Sequence, residues 1–136
     1  MYEVLEHTAD IGLRIRADDL GSLLADAARG LFSLIVANLD DVRPLESQRI
    51  QLRGAADEYL LFDWLAELLF LFETRRMLFS EFAVQVTDQG IDAVCRGEPL
   101  DDQRHRLDHE VKAITYHGLT LVAGRDGWMA EVILDI

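Results

Sequence analysis

Asp135 and Ile136 place two carboxylates side by side at the end of this 136-residue sequence. The side chain of Asp135 and the terminal carboxylate of Ile136 follow an apolar, strand-like run. Two negative charges held together favour a cation or a hydrogen-bond donor between them, and clustered oxygens are the ligands of hard cations such as Ca²⁺ and Mg²⁺. The alternative is a solvated aspartate at a frayed terminus. Considered without the rest of the sequence, Asp135 and Ile136 favour this alternative. Whether Asp10 joins them depends on the fold.

The residues from His7 to Asp10 form a second polar feature, between two apolar segments. We predict two short strands, one from Tyr2 to Glu6 and one from Ile11 to Arg16. The second is indicated by its strict alternation of apolar and other residues. The segment between them is therefore expected to be a loop or bulge that directs polar groups outward.

Three further histidines and the single cysteine offer weaker chemistry. His105 and His109 have the i, i+4 spacing of two metal ligands on a helix, but the residues between them do not form HExxH and the segment predicts a loop. We interpret both as solvated loop histidines. His117, before Gly118, is either a turn residue or a partner contact. Cys95 falls in an apolar alternation, which favours a small core residue over a nucleophile.

Composition narrows the possible functions. The formal charge is -12, from 25 acidic and 13 basic residues, which disfavours direct contact with a phosphate backbone. The nine glycines never fall as GxGxxG or GxxxxGK[ST], so neither nucleotide-binding loop is indicated. A lone cysteine and no signal-peptide pattern predict a cytoplasmic protein. The most apolar segment, from Asp57 to about Arg75, has Leu68 to Phe72 as its longest run without a polar residue, far below the ~20 residues of a membrane span.

Two helices are predicted. Asp18-Asp19 caps the first, whose apolar residues recur at i, i+3, i+4 and i+7 from Leu20 to Ile35; Gly30 within it would cost about 1 kcal/mol if exposed. The second runs from Asp57 to about Arg75 and is apolar nearly all round. We interpret it as a central helix covered on several sides, with membrane insertion as a remote alternative.

The remaining segments are mostly β. One strand is predicted at 48–53, and two hairpins are predicted, the first of 82–86 with 91–95 and the second of 119–122 with 128–134. The first hairpin ends at 97–99. Residues 100–108 are expected to form an exposed polar loop, and residues 111–116 are either extended or helical. The sequence thus predicts one α+β domain over residues 1–136, with two main helices packed on an antiparallel or mixed β-sheet as a two-layer sandwich.

Three segments occur in order along the chain. They are His7-Thr8-Ala9-Asp10-Ile11-Gly12, Val111-Lys112-Ala113-Ile114-Thr115-Tyr116-His117-Gly118-Leu119, and Gly127-Trp128 followed by Val132-Ile133-Leu134-Asp135-Ile136. Together they resemble the opening, second and closing motifs of the archease family, and the helix from Glu58 to Glu73 also fits. The resemblance covers essentially the whole chain, and three ordered motifs ending at the last residue are specific.

The resemblance implies an accessory role rather than catalysis. Archeases assist the RtcB-type RNA ligase, which joins RNA ends in tRNA splicing and RNA repair. The family promotes metal-dependent guanylylation of the ligase and so permits multiple turnover; a chaperone-like role has also been attached to it. The expected partner is therefore that ligase, with no direct nucleic-acid contact and no membrane.

The resemblance also implies a site. Its metal ligands would be Asp10, the Asp135 side chain and the terminal carboxylate of Ile136, and oxygen ligands favour Ca²⁺, with Mg²⁺ or Mn²⁺ as alternatives, over zinc. Lys112 would be a further functional contact, and His117 and His7 are also expected to contact the partner. His7 is then expected to be structural or to meet the partner rather than to bind metal.

Two other classes of function stay open at this point. A metal-dependent hydrolase could act through Asp10, Asp135 and a nearby histidine such as His7, although the sequence offers no complete set of nucleophile, base and orienting group. A general chaperone would be favoured if the helices exposed a large apolar patch.

Overall fold

The computed structural model describes residues 1–6 and 9–136, which form eight strands and two α-helices. The strands are β1 (Tyr2–Glu6), β2 (Asp10–Ala17), β3 (Glu46–Arg53), β4 (Met77–Thr87), β5 (Gly90–Pro99), β6 (Ala113–Ile114), β7 (Thr120–Gly124) and β8 (Gly127–Asp135). The helices are α1 (Leu20–Ile35) and α2 (Glu58–Arg75), and a 3₁₀ turn covers Leu39–Asp41.

The strands form two sheets rather than one. The larger has the order β1-β2-β8-β6, with β7 also paired to β8, and the smaller has the order β3-β5-β4. Every pairing is antiparallel. The prediction of an α+β fold with two helices on antiparallel strands is confirmed. The prediction that the strands form a single sheet was wrong, because they form two. Alternation shows which residues face the core, but it does not say which strands pair.

Helix α1 packs against both sheets. Asp19 caps it by accepting a hydrogen bond from Ser22 N at 2.8 Å, and it contacts β1, β2 and β8 of the larger sheet and β4 of the smaller. Gly30 is buried rather than exposed. A Cβ there would lie 3.2–3.3 Å from the side chains of Tyr2 and Leu13, so the glycine allows the helix to approach the sheet closely.

Helix α2 is buried on one side only. Asp57 caps it by accepting from Tyr59 N and Leu60 N, as predicted. Its buried residues are Leu60, Leu61, Trp64, Leu65, Leu68, Leu69 and Leu71. Trp64 joins the two helices, because its Nε1 donates to the carbonyl oxygen of Leu24 at 2.8 Å. The expectation of a helix covered on several sides was incomplete, since Tyr59 and Phe70 are exposed.

Residues 100–108 form a largely exposed loop, as the sequence predicted, but His105 at their centre is only 3% exposed and is not the solvated histidine that was expected. Its Nδ1 accepts a hydrogen bond from Asp101 N at 2.9 Å, and its Nε2 faces Glu98 Oε2 at 3.2 Å. Glu98 lies in β5, which ends at Pro99, within the end that was predicted at 97–99. His105 and Glu98 are buried because each satisfies the other's hydrogen bonding, whereas most polar residues of the loop stay exposed.

Glu98 is the centre of that polar network. Burial alone would raise its pKa, but hydrogen bonds from Arg104, from the backbone N–H of Arg43 and from His105 outweigh it and hold the pKa at about 2. The Arg43 bond is 2.6 Å long. Glu98 is therefore a buried carboxylate that stays charged and fastens residues 100–108 to β5.

The remaining predictions of local structure mostly hold. The two predicted hairpins are β4–β5 and β7–β8, and residues 113–114 are extended. His109 donates its backbone N–H to Leu34 O at 2.8 Å and shares no helix with His105. Cys95 is fully buried in β5, and burial raises the pKa of its thiol to about 12, in agreement with a core residue.

Neither helix that the structure describes is both long enough and apolar enough to cross a membrane.

Trp64→Phe should reduce the free energy of unfolding by about 1–2 kcal/mol, because it removes the hydrogen bond to Leu24 and leaves a small cavity. Urea denaturation followed by circular dichroism measures the loss. Trp128→Phe is the matched control, since Trp128 is partly exposed, and it should cost less than half as much. Equal losses in the two variants would contradict a special role for Trp64.

Glu98→Gln should destabilise the fold at neutral pH and remove part of its acid sensitivity. A carboxylate whose folded pKa is about 2, against an ordinary 4.5, contributes stability above pH 4.5 that is lost as the pH falls toward 2. The stability difference between wild type and variant should therefore shrink across that window, as urea titrations at several pH values would measure. The exposed Glu81→Gln serves as control, and a difference that does not change with pH would refute this assignment.

Candidate functional site

Asp10 and Asp135, from the first and last motifs, are direct partners across β2 and β8. In β2, Ile11, Leu13 and Ile15 face the core and are at most 1% exposed, so alternation turns Asp10 to the opposite face of the sheet. Residues directly opposite in an antiparallel pair share one face, with Cβ atoms about 4.5–5.5 Å apart. The fold thus brings the two aspartates of the predicted site together.

A salt bridge on the same two strands shows what the aspartate pair lacks. Arg14 is paired with Glu131 four residues along, and Arg14 Nε lies 2.8 Å from Glu131 Oε1. The hydrogen bond that Arg14 donates to Glu131 raises the pKa of Arg14. Opposite charges across strands are favourable and like charges destabilising, so the pairing of Asp10 with Asp135 carries an electrostatic cost that Arg14 and Glu131 avoid.

One carboxylate oxygen of Asp10 is buried without a donor. Its Oδ1 is inaccessible to solvent and accepts no hydrogen bond from the residues that the structure describes. Such oxygens are rare in native proteins, and each costs about 1–3 kcal/mol when left unsatisfied. A hard divalent cation binds carboxylate oxygens and would offset both this cost and the repulsion from Asp135. The residues present therefore fit an oxygen-liganded cation.

The end of β8 is packed rather than frayed. Ile136 is partly buried against the hydrophobic core, and the carbonyl oxygen of Asp135 accepts a hydrogen bond from Lys112 N at 2.8 Å. Thr115 N donates to Ile133 O at 3.0 Å. The second motif is thus bound along the closing strand. It carries Lys112, whose side chain is exposed, next to the aspartate pair.

Of the two histidines predicted as partner contacts, the structure describes only His117, and no described contact joins it to the aspartates. His7 lies outside the described residues 1–6 and 9–136. His117 is exposed in a turn, where Gly118 has a φ of 61°. Its backbone N–H donates to Thr115 Oγ1 at 3.3 Å.

The side chains alone do not make a complete metal centre. In the described part of the chain, no three His, Cys, Asp or Glu side chains are grouped so as to hold a metal ion. Asp10 and Asp135 supply two carboxylates, and a cation there would need further oxygens from the Ile136 carboxylate, backbone carbonyls or waters. Sequence reasoning missed Arg14, although its even spacing from Asp10 along β2 predicts the shared face.

Comparison with known sequences gives one consistent result. The archease protein family matches residues 2–136. A protein named archease from Methanopyrus kandleri is 42% identical over 99% of this chain and 99% of its own length. Another of the same name, from Pyrococcus abyssi, is 38% identical over 99% of this chain and 98% of its own.

A solved structure agrees with the sequence relatives. The solution structure of Methanobacterium thermoautotrophicum protein 1598 is 32% identical and superposes with a TM-score of 0.85. The match covers 99% of this chain and 98% of that one. At this level of identity and coverage, the two chains share the same fold throughout.

Proposed function

This chain belongs to the archease family, and we propose on that basis that it activates an RtcB-type RNA ligase. Family membership identifies it as an accessory protein of RNA processing. The proposed activity is to promote metal-dependent guanylylation of the ligase and thereby permit multiple turnover in tRNA splicing and RNA repair. The protein itself would carry out no chemical step.

The observation that carries the proposal is the cross-strand pair of Asp10 and Asp135. These residues come from the first and last archease motifs. The buried Oδ1 of Asp10, which accepts no hydrogen bond from the described residues, is the oxygen that most needs a cation. Asp10, Asp135 and the terminal carboxylate of Ile136 would hold the ion. Ca²⁺ suits such ligands best because it accepts several oxygens in flexible geometry, and Mg²⁺ or Mn²⁺ are alternatives. The bound ion would supply a positive centre at this acidic end.

Charge supports a protein partner. With a net charge of -12, this protein would be steered toward a basic, RNA-binding surface and repelled from RNA itself. Lys112 is an exposed cation in the segment bound to Asp135, and could pair with an acidic group of the ligase once the acidic end has docked. The exposed His117, and His7 by its motif, are further proposed contacts with the ligase.

Ca²⁺ should raise the melting temperature of the wild type and should not raise that of Asp10→Asn. A ligand at 100 times its Kd stabilises the native state by about 2.7 kcal/mol, which corresponds to several degrees for a domain of this size. Differential scanning fluorimetry with and without Ca²⁺ measures the shift. Asp126→Asn, in the exposed β7–β8 turn, is the control for removing one negative charge and should keep the full shift.

The Ile136 ligand is tested by a chain extended beyond residue 136, in which the terminal carboxylate becomes an amide. The extended chain should lose most of the Ca²⁺ shift. The same shift in extended and unextended protein would count against Ile136, and the same shift in Asp10→Asn would exclude the site as a whole.

Asp10→Asn and Asp135→Asn should each reduce stimulation of the ligase at least tenfold while leaving the fold intact, because each removes one carboxylate of the proposed site. Multiple-turnover RNA ligation with purified ligase measures the stimulation, and circular dichroism checks the fold. Asp126→Asn should stimulate like the wild type. Unchanged stimulation by both site variants would refute the role of the pair, and RNA hydrolysis by the protein alone would favour an enzyme instead.

A further inference from the structure

An aromatic surface lies on the exposed side of α2, outside the aspartate site. We define it by Tyr59, Phe62, Phe70 and Tyr116. Tyr59, Phe70 and Tyr116 are 59%, 54% and 59% exposed. They are the only aromatic side chains with such high exposure in the described part of the chain. Single exposed apolar residues are ordinary, but the gathering of all three on one surface requires a specific explanation.

Helical geometry joins the members along α2. Tyr59, Ala66 and Phe70 are spaced i, i+7 and i+11, which places them on one stripe about 16 Å long. The opposite side of α2 supplies the seven buried residues of the core. Because the core is built on that opposite side, the exposed rings of Tyr59 and Phe70 contribute little to it.

Tyr116 connects this stripe to the second motif. Its ring stacks on Phe62 with centroids 4.0 Å apart and planes 9° apart, and its centroid lies 6.3 Å from that of Tyr59. Tyr116 follows Lys112 by four residues in extended or turn-like chain, a span of at most about 13 Å. One partner face of standard size, about 800 Å², can therefore cover both the aromatic surface and the end of β8.

Acidic residues border the aromatic stripe. Asp63 and Glu67 flank it on one side of α2, and Glu73 lies at its C-terminal end. In a second copy of this chain the same acidic border would face itself, and like charges across an interface are unfavourable. The chemistry that fits is a protein surface with an apolar centre and a basic border.

We propose that the aromatic surface is the docking site for such a surface on the ligase, and that it supplies affinity while the aspartate pair supplies activation. Aromatic side chains, tyrosine among them, are enriched at protein interfaces and among the residues that contribute most to binding. Acidic residues at the border would speed and orient the encounter. This inference rests on the proposed function, because the ligase is its occupant.

The test measures RNA ligation by the purified ligase as this protein is titrated, together with its binding to the ligase by calorimetry. Tyr59→Ser/Phe70→Ser and, separately, Tyr116→Ser should raise the concentration for half-maximal stimulation at least tenfold but reach the same plateau. Asp135→Asn should instead lower the plateau. Asp63→Lys/Glu67→Lys should weaken binding and reduce its salt dependence. Leu45→Ser is the matched control, because Leu45 is 69% exposed and lies outside the aromatic surface.

Each outcome decides between the two proposals. Wild-type titration curves for all of the surface variants would overturn the docking site and leave the proposed function standing. Binding through the aromatic surface without stimulation would support docking and overturn activation. A wild type that neither binds nor stimulates the ligase would overturn both. Sedimentation that shows a dimer broken by Tyr59→Ser/Phe70→Ser would assign the surface to a second copy, against the proposal.

Discussion

The antiparallel pairing of β2 with β8 is the constraint on which the rest of the molecule depends. It places residues from the start and the end of the sequence side by side at the centre of the larger sheet. One face of the pair supplies apolar residues to the core beneath α1. The other face carries charges, which are neutralised at Arg14 and Glu131 but not at Asp10 and Asp135. The same pairing that builds the core therefore creates the acidic site.

Much of this fold could be predicted from local patterns. The caps at Asp19 and Asp57 and the alternation in β2 predicted elements that the structure contains, because side-chain period and capping are properties of neighbouring residues. The division into two sheets could not be predicted in this way, since strand pairing depends on residues far apart in sequence. His105 was misjudged for a related reason. A sequence segment rich in charged residues is predicted to be solvated. The burial of His105 follows only once its contact with Glu98, and that of Glu98 with Arg104, are known.

The candidate site shows the same division between local and distant information. Composition and spacing alone left Asp135 as a solvated residue at a frayed end, and only resemblance to a family joined it to Asp10. The cross-strand register supplies an independent physical reason for that connection. The burial of helix α2 could not be predicted for another reason. A helix that is apolar on all sides is compatible both with complete burial and with an exposed face that binds a partner. The stacking of Tyr116 on Phe62 could be found only in three dimensions.

The separation of the paired strands along the chain has a kinetic consequence. Arg14 and Glu131 are 117 residues apart in sequence, and contacts of such range are slow to form because a long loop must close before they stabilise anything. Asp10 and Asp135 can meet only after that closure. A partly folded chain, even one with both helices formed, would therefore lack the acidic pair, and a partner that recognises the pair would distinguish finished molecules from folding intermediates.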